Sequence, residues 1–443
     1  MWKRIPSVAV CSLCLVGSLF SQTISSSPHG INVHLVEDEV LEKVVEAGIS
    51  WIRIDIHWYE TEPAEGVIDY TRVDRVVAFA ETRGLSILAV LAYTPGWANG
   101  GLGLNHPPED GSAWTRFVTR TVTRYKNRIK YWNIWNEPNM DVFWAGGKDT
   151  FVDEIFLPAA WAIRTADPAA FIVGPELAHL TSEGQEWYFW MKYILERCGD
   201  TIDIVSHHIY ESAGVGTVYQ MLEEGEFSNG VIVPSVKGLV KEVGQTDKPF
   251  WITETGWETD TFSEQTQADR YLEMLQTMKT RMFPNRIFFY EIIDDPAPAI
   301  PAWGILRSDL GEKMAYTVYR DFIAGEYGDP EEDPEEENDC WAEEMLSGTD
   351  GGRLDLARLR VLRSRILGIR GLGQALVSLY RRLSPGLTRR CLADSRWFRL
   401  SRAVLSRLAR GGASPMGPLS GTLADLSNRA RVTPWAAAST RGR

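Results

Sequence analysis

Residues Tyr131–Met140 read YWNIWNEPNM. A surface loop does not favour Trp132 and Trp135, and the interior of a strand does not favour Asn136 and Glu137. Pro138 then stops the run. A strand that ends in a pocket, with a carboxylate at its tip, accommodates both halves. Strict alternation would put Asn136 and Glu137 on opposite faces. Both reach one cleft only if the strand ends or bulges there, and Pro138 suits such an ending.

The same rhythm recurs outward from this stretch, between His29 and Gly325. Short apolar, β-branched runs predict strands at Ile31–Leu35, Trp51–Trp58, Ser86–Tyr93, Ile129–Glu137, Phe171–Glu176, Ile202–Tyr210, Phe250–Trp257 and Arg286–Ile293. Amphipathic runs such as DEVLEKVVEAG, Tyr70–Arg83, WTRFVTRTVTRYKNR, ADRYLEMLQTMKTRM and MAYTVYRDFI predict the helices between and after them. Eight strand–helix pairs in one stretch predict an α/β fold, a (β/α)8 TIM barrel. The rival is an open doubly wound sheet, but no glycine-rich phosphate turn follows the first strand.

A barrel places function at the C-terminal ends of its strands. The polar residues gather there: Asn32 and His34, Asp55 and His57, Asn136 and Glu137, Glu176, then His207, His208 and Tyr210, Glu254, and finally Glu291, Asp294 and Asp295. Glu137 ends the fourth strand and Glu254 the seventh, across the mouth from one another. Two carboxyl groups facing across a cleft are what glycosidic bond cleavage needs. One donates a proton to the leaving oxygen, and the other attacks the anomeric carbon or activates water. An apolar neighbour raises one pKa while donors hold the other group ionised. Either motif alone is weak, because most glutamates are solvated surface charges. The joint placement at strand tips flanked by tryptophan carries the argument.

WNIWNEPN, ITETGW, SHHIY, WIRIDIHW with its following EPAEGVIDY, and FFYEIIDDP resemble the clan A retaining glycoside hydrolases. The resemblance is greatest to family 39, with families 5 and 42 as neighbours, and covers nearly all of His29–Gly325. It implies that Glu137 is the general acid/base and Glu254 the nucleophile. Asn136 would bond the sugar 2-hydroxyl, and Arg53 would hold the nucleophile ionised. His208 and Tyr210 resemble the polar pair on strand six, with Tyr210 nearer the nucleophile. Tyr290 fills the strand-eight aromatic position, where family 5 typically has tryptophan. Trp97, Trp135, Trp257 and Trp303 are candidate sugar platforms, with core or loop packing the equal alternative. His34, His57 and His207 are either ligands of sugar hydroxyls or scaffold. No H-x-x-x-H or cysteine pair points to a metal, and no cofactor is expected.

The expected activity is retaining hydrolysis of a β-linked oligo- or polysaccharide, with a slight lean toward endo cleavage. A non-catalytic carbohydrate-binding barrel and a transglycosidase with the same residues are the alternatives. The 17 tryptophans suit a large core and equally suit sugar rings. The formal net charge of −13 argues against a nucleic-acid partner.

The ends differ from the middle. Lys3 and Arg4 precede an apolar run, Val8–Phe20, too short to span a bilayer comfortably. Residues 1–25 therefore predict a secretory signal and a secreted or periplasmic protein with no membrane span after cleavage. Cys198, Cys340 and Cys391 would then remain, which is no disulfide framework. The catalytic domain is expected over 26–328, an acidic linker over 329–350, and an Arg-rich tail over 351–443. That tail holds nineteen arginines, no lysine and only Asp355, Asp394 and Asp425 as acids. A basic anchor for an anionic surface is one reading. Arginine without lysine favours an extension of low order that carries no site.

Overall fold

Eight parallel strands form the centre of the molecule: β1 (His29–Asn32), β2 (Trp51–His57), β3 (Ser86–Ala92), β4 (Tyr131–Ile134), β5 (Phe171–Gly174), β6 (Ile204–His208), β7 (Phe250–Thr255) and β8 (Arg286–Phe289). Each pairs with its sequence neighbours, and β1 also pairs with β8, so the sheet closes into a barrel. This is the (β/α)8 architecture expected from the sequence. The computed structural model describes residues 25–327 apart from 212–216, 229–230 and 298. Residues 1–24 of the expected leader, the acidic linker 329–350 and the tail 351–443 lie outside the described residues.

Helices cover the barrel because their apolar stripes must be buried. Helix Thr71–Arg83 turns Val73, Val76, Val77 and Ala80 inward, at helical spacing, and stops at Gly84 in the left-handed conformation. Helix Gly111–Arg124 starts where the Asp110 carboxylate accepts a hydrogen bond from the Ser112 amide. Among the described residues no helix is long and apolar enough to cross a membrane. Glu211–Leu239 belongs to a second compact unit. Taken by itself, it holds a short helix, Val218–Glu223, begun by a Thr217–Gln220 capping box, and an antiparallel hairpin of Glu226–Ser228 with Val231–Val233.

The floor of the barrel is aromatic. Trp51, Leu88, Val173, Ile204, Trp251 and Phe288 cluster there, with Tyr131 packed against them. The guanidinium of Arg286 lies 3.7 Å from the Trp51 ring and 4.3 Å from that of Trp251. At Gly30 on β1 a β-carbon would fall 2.6 Å from the Phe288 ring, so only glycine lets that ring fill the floor.

The expected strands overrun the observed ones, chiefly at their C-terminal ends. β4 stops at Ile134, not Glu137, and β5 stops at Gly174, not Glu176. The reason is local backbone. His34, Tyr93, Trp135, Glu137 and Glu176 take positive φ, from 43° at Glu137 to 70° at Trp135. Left-handed residues cannot continue a strand and are costly without glycine. They gather at the mouth, where the polar residues are.

Candidate active site

Alternation along β2 carries Trp51, Arg53 and Asp55 up one face of the strand. Arg53 is 2% exposed. Its Nη1 donates to Glu254 Oε1 at 2.7 Å and to Asn32 Oδ1 at 2.8 Å. Its Nη2 donates to Asn136 Oδ1 at 2.9 Å and to Glu176 Oε2 at 3.1 Å. Asn32 is itself fixed, because its amide nitrogen donates to the carbonyls of Thr253 and Phe289. One buried fork thus ties the ends of β1, β4, β5 and β7.

On β6 the same alternation runs Ile204, Ser206, His208. Ile204 lies in the floor, so Ser206 and His208 face inward and His207 outward. His208 Nδ1 lies 2.8 Å from Glu137 Oε1 and 3.5 Å from Glu254 Oε2, and its Nε2 lies 3.1 Å from Glu176 Oε2. His207 instead packs on Trp187 and lies 2.9 Å from His179. Burial, then the charges of its histidine neighbours, holds it well below its ordinary pKa. It is scaffold behind the barrel wall, not a ligand at the mouth.

Two irregularities bring the carboxylates together. The register of β6 against β7 slips so that His207 faces Ile252 but His208 faces Glu254. Thr253 and Glu254 therefore both reach the interior network: Thr253 Oγ1 donates to Glu176 at 2.8 Å, and Tyr210 donates to Glu254 Oε2 at 2.8 Å. On the β4 side, left-handed turns at Trp135 and Glu137 send Asn136 to Arg53 and Glu137 to His208. The run YWNIWNEPNM breaks its alternation so that two consecutive polar residues enter one pocket. An oxygen of Glu137, a ring nitrogen of His208 and an oxygen of Glu254 lie within 4.8 Å of one another.

The electrostatics follow from burial. Burial pushes Glu254 up; the charges of His208 and Arg53 oppose this, Glu137 adds to it, and the net direction is upward. Burial alone would lower His208, but the charge of Glu254 and the bonds to Glu137 and Glu176 outweigh it and raise the imidazole to about 10. Burial would raise Glu176, but His208, Arg53 and Ser206 bring it down to about 2. Burial, then the charge of Glu254, raises Tyr210 well above the usual phenol range, so it stays a donor.

A second chain runs beside the first. His34 Nδ1 lies 2.5 Å from Asp55 Oδ2, and its Nε2 lies 3.0 Å from Glu291 Oε2. Burial opposes the charge on His34, but Asp55 and Glu291 raise it to about 10. His57 stacks on Tyr59 and lies 3.9 Å from Asp55.

Of the expected sugar platforms, the structure brings Trp303 to the mouth. Trp303 lies edge-on to Tyr210, with ring centres 5.1 Å apart, and Tyr290 completes that aromatic wall. Trp97 is half-buried, with its indole nitrogen bonded to the Glu62 carbonyl and its ring edge-on to Trp58. Trp135 and Trp257 are corrections. Both are buried, at 0% and 2% exposed, Trp135 among Trp114, Trp144 and Tyr93 and Trp257 against Tyr271. A ring already covered on its faces offers none to a sugar.

Glu176, Ser206 and Thr253 are the members of this network that sequence reasoning missed or undervalued. Glu176 was legible only as one of the polar residues gathered at the strand ends. Its position after β5 was the one signal, and its partners lie 32 and 123 residues away along the chain. The convergence of Glu137, His208 and Glu254 has a spacing that a metal ion could use. A cation there would sit against the guanidinium bonded to Glu254, and both ring nitrogens of His208 already meet carboxylates. The donor set fits a proton network rather than a metal centre.

The sequence model of glycosyl hydrolases family 39 matches residues 47–271. The β-xylosidase of Caldicellulosiruptor saccharolyticus is 25% identical over 197 residues, 40% of this chain and 39% of that protein. The β-xylosidase of Geobacillus stearothermophilus is 26% identical over 116 residues, 24% of this chain and 22% of that protein. The chain thus spans well under half the length of these curated relatives. A family 39 glycoside hydrolase from the gut symbiont Bacteroides cellulosilyticus WH2 superposes with a TM-score of 0.53 at 20% identity, over 68% of this chain and 65% of that one. A monomeric β-xylosidase from Caulobacter crescentus CB15 gives 0.52 at 20% identity, over 67% and 68%. At such identities the structural likeness concerns the barrel fold.

Proposed function

Because the chain belongs to glycosyl hydrolases family 39, we propose that it is a secreted β-glycosidase that cleaves O-glycosidic bonds with retention, by double displacement. Residues 26–328 are its proposed catalytic domain, and a β-linked oligo- or polysaccharide is its proposed substrate. The observation that carries this is the approach of Glu137 and Glu254, with one oxygen of each within 4.8 Å. Retaining chemistry needs carboxyl groups about 5–5.5 Å apart, whereas inversion leaves room for water at roughly 6.5–9.5 Å.

Glu254 attacks the anomeric carbon as Glu137 gives its proton to the departing oxygen. Glu137, now ionised, takes a proton from water, and that water displaces Glu254 from the sugar. Arg53 and Tyr210 donate to the two oxygens of Glu254 and favour its ionised form. Arg53 occupies the oxygen of the Asn136 amide, which leaves its nitrogen to donate to the sugar 2-hydroxyl. Aryl β-xylosides are the first substrates to test, since the curated relatives are β-xylosidases, followed by glucosides and galactosides.

Azide decides between roles. Glu254→Gly is expected to lower kcat by roughly 10⁴-fold or more. Azide then enters the vacated side, restores turnover and gives the α-glycosyl azide. Glu137→Ala spares substrates whose leaving group needs no proton, and azide there gives the β product. Near-normal turnover by both variants would make these glutamates scaffold.

A further inference from the structure

Glu176 is fully buried, and four donors surround it. Arg53 Nη2 and His208 Nε2 reach Oε2 at 3.1 Å each, while Ser206 and Thr253 reach Oε1 at 2.5 and 2.8 Å. Every lone-pair direction of the carboxylate thus has a proton donor, and such a group stays ionised. The double displacement proposed above does not use it. Yet it is one bond from each cation of the site, and through them it reaches both reacting glutamates.

The buried charges can be counted. Arg53 and an imidazolium at His208 contribute two positive charges, and Glu176 contributes one negative. One positive charge remains. The Glu137–Glu254 pair neutralises it when the pair carries one proton. A doubly ionised pair would leave a buried negative charge, and a doubly protonated pair a buried positive one. Both are costly away from water. The count covers only the groups bonded to Glu176 and to the pair; beside them a second chain sets one cation, His34, between two carboxylates. Asp55 on β2 faces Arg53 and is met by His34 from β1, which also holds Glu291 after β8. Tyr93, Tyr210 and Tyr290, from the ends of β3, β6 and β8, are all kept neutral, by burial first and then by nearby carboxylates. Asn32 and Asn136 contribute no charge.

We propose that Glu176 is a positioning residue that holds His208 as an imidazolium and so keeps a cation against both members of the Glu137–Glu254 pair. One proton on the pair is the starting state that double displacement needs: an acid to donate and an ionised nucleophile to attack. An imidazolium 2.8 Å from Glu137 and 3.5 Å from Glu254 favours ionisation within the pair before substrate arrives. The assignment rests on the retaining reading of the site for its catalytic meaning, but its physical content is a protonation state that can be measured without turnover.

The test is nitrogen NMR of the full chain labelled at histidine, with the His208 signals assigned by their loss in His208→Asn. In the wild type both ring nitrogens of His208 should show the protonated shift throughout pH 5–8. Glu176→Gln keeps the shape and removes the charge, and the His208 midpoint should fall by about one pH unit or more, a tenfold change in proton affinity. Glu176→Asp keeps the charge and should leave His208 protonated. A neutral His208 in the wild type, or an unmoved midpoint in Glu176→Gln, overturns the proposal. If Glu176→Gln does not fold, the wild-type measurement still decides. A parallel pH profile of kcat/KM on an aryl β-glycoside should show the alkaline limb of Glu176→Gln moved to lower pH by about one unit. A wild type that hydrolyses no glycoside would reject the enzymatic reading, while the His208 titration would still stand or fall on its own.

Discussion

Trp51 and Arg53 are two residues apart on one strand, yet they belong to different chemistries. At the floor, around Trp51, the cation is Arg286. Indole faces flank it, and the carbonyls of Ser25 and Ser27 accept its protons. Burial lowers its pKa to about 10. At the mouth the cation is Arg53, more deeply buried, and carboxylates at Glu254 and Glu176 raise it against the effect of burial. The floor dissolves its charge in π faces and carbonyls, so the charge is inert. The mouth sets charge against charge, so protons can move. The same barrel interior is a packed core over its lower layer and a reactive medium over its upper one.

The sharpest way to break this division is to cut into the floor. Trp51→Ala is expected to cost about 3–5 kcal/mol of stability, read from chemical denaturation, through the cavity left among Trp251, Tyr131 and Phe288. The protein that remains folded should keep its KM. A variant of full stability with a lost KM would mean that the floor serves the site directly.

A smaller effect sharpens the mouth. Tyr210→Phe removes one donor to Glu254 and should lower kcat by roughly 10- to 100-fold, the worth of a hydrogen bond to a charged group. The thermal midpoint should move little. A large fall in stability with normal kcat would reassign Tyr210 to packing.

The smallest effect concerns pH at the floor. His29 opens β1 with its ring edge-on to Tyr319 and Phe322. Burial, then the Arg286 charge, lowers its pKa from 6.5 to about 4. Between those values the unfolded chain binds the proton and the folded one does not. Stability should therefore fall as pH drops from 6.5 toward 4 and flatten below. His207 acts in the same direction. His29→Gln should flatten part of that slope, read as the denaturant midpoint against pH, and an unchanged slope would show that His29 is not the source.

The sequence was most legible where one rule governs a residue. Short apolar runs such as Ser86–Ala92 read directly as strands, and the helix Thr71–Arg83 read directly from its stripe. Strand ends were overdrawn because left-handed residues such as Trp135 and Glu176 stop a strand without changing its hydropathy. Trp135 and Trp257 looked like platforms because they neighbour the acids in sequence. Their backbone turns the rings toward the helices instead. Glu176 was undervalued for a different reason. A buried carboxylate takes its meaning from its partners, and Arg53 and His208 come to it only through closure of the barrel.

The aromatic floor also makes the barrel a dead end. Nothing passes through it, so on the proposed mechanism every reactant and product shares one doorway. The departing sugar must clear that doorway before water or another sugar can use it. The fate of the covalent intermediate is then a contest of traffic: whichever acceptor is first to re-enter takes the glycosyl group. The closed end of the barrel, remote from any reacting atom, thereby makes the balance between hydrolysis and transfer a question of crowding at the other end.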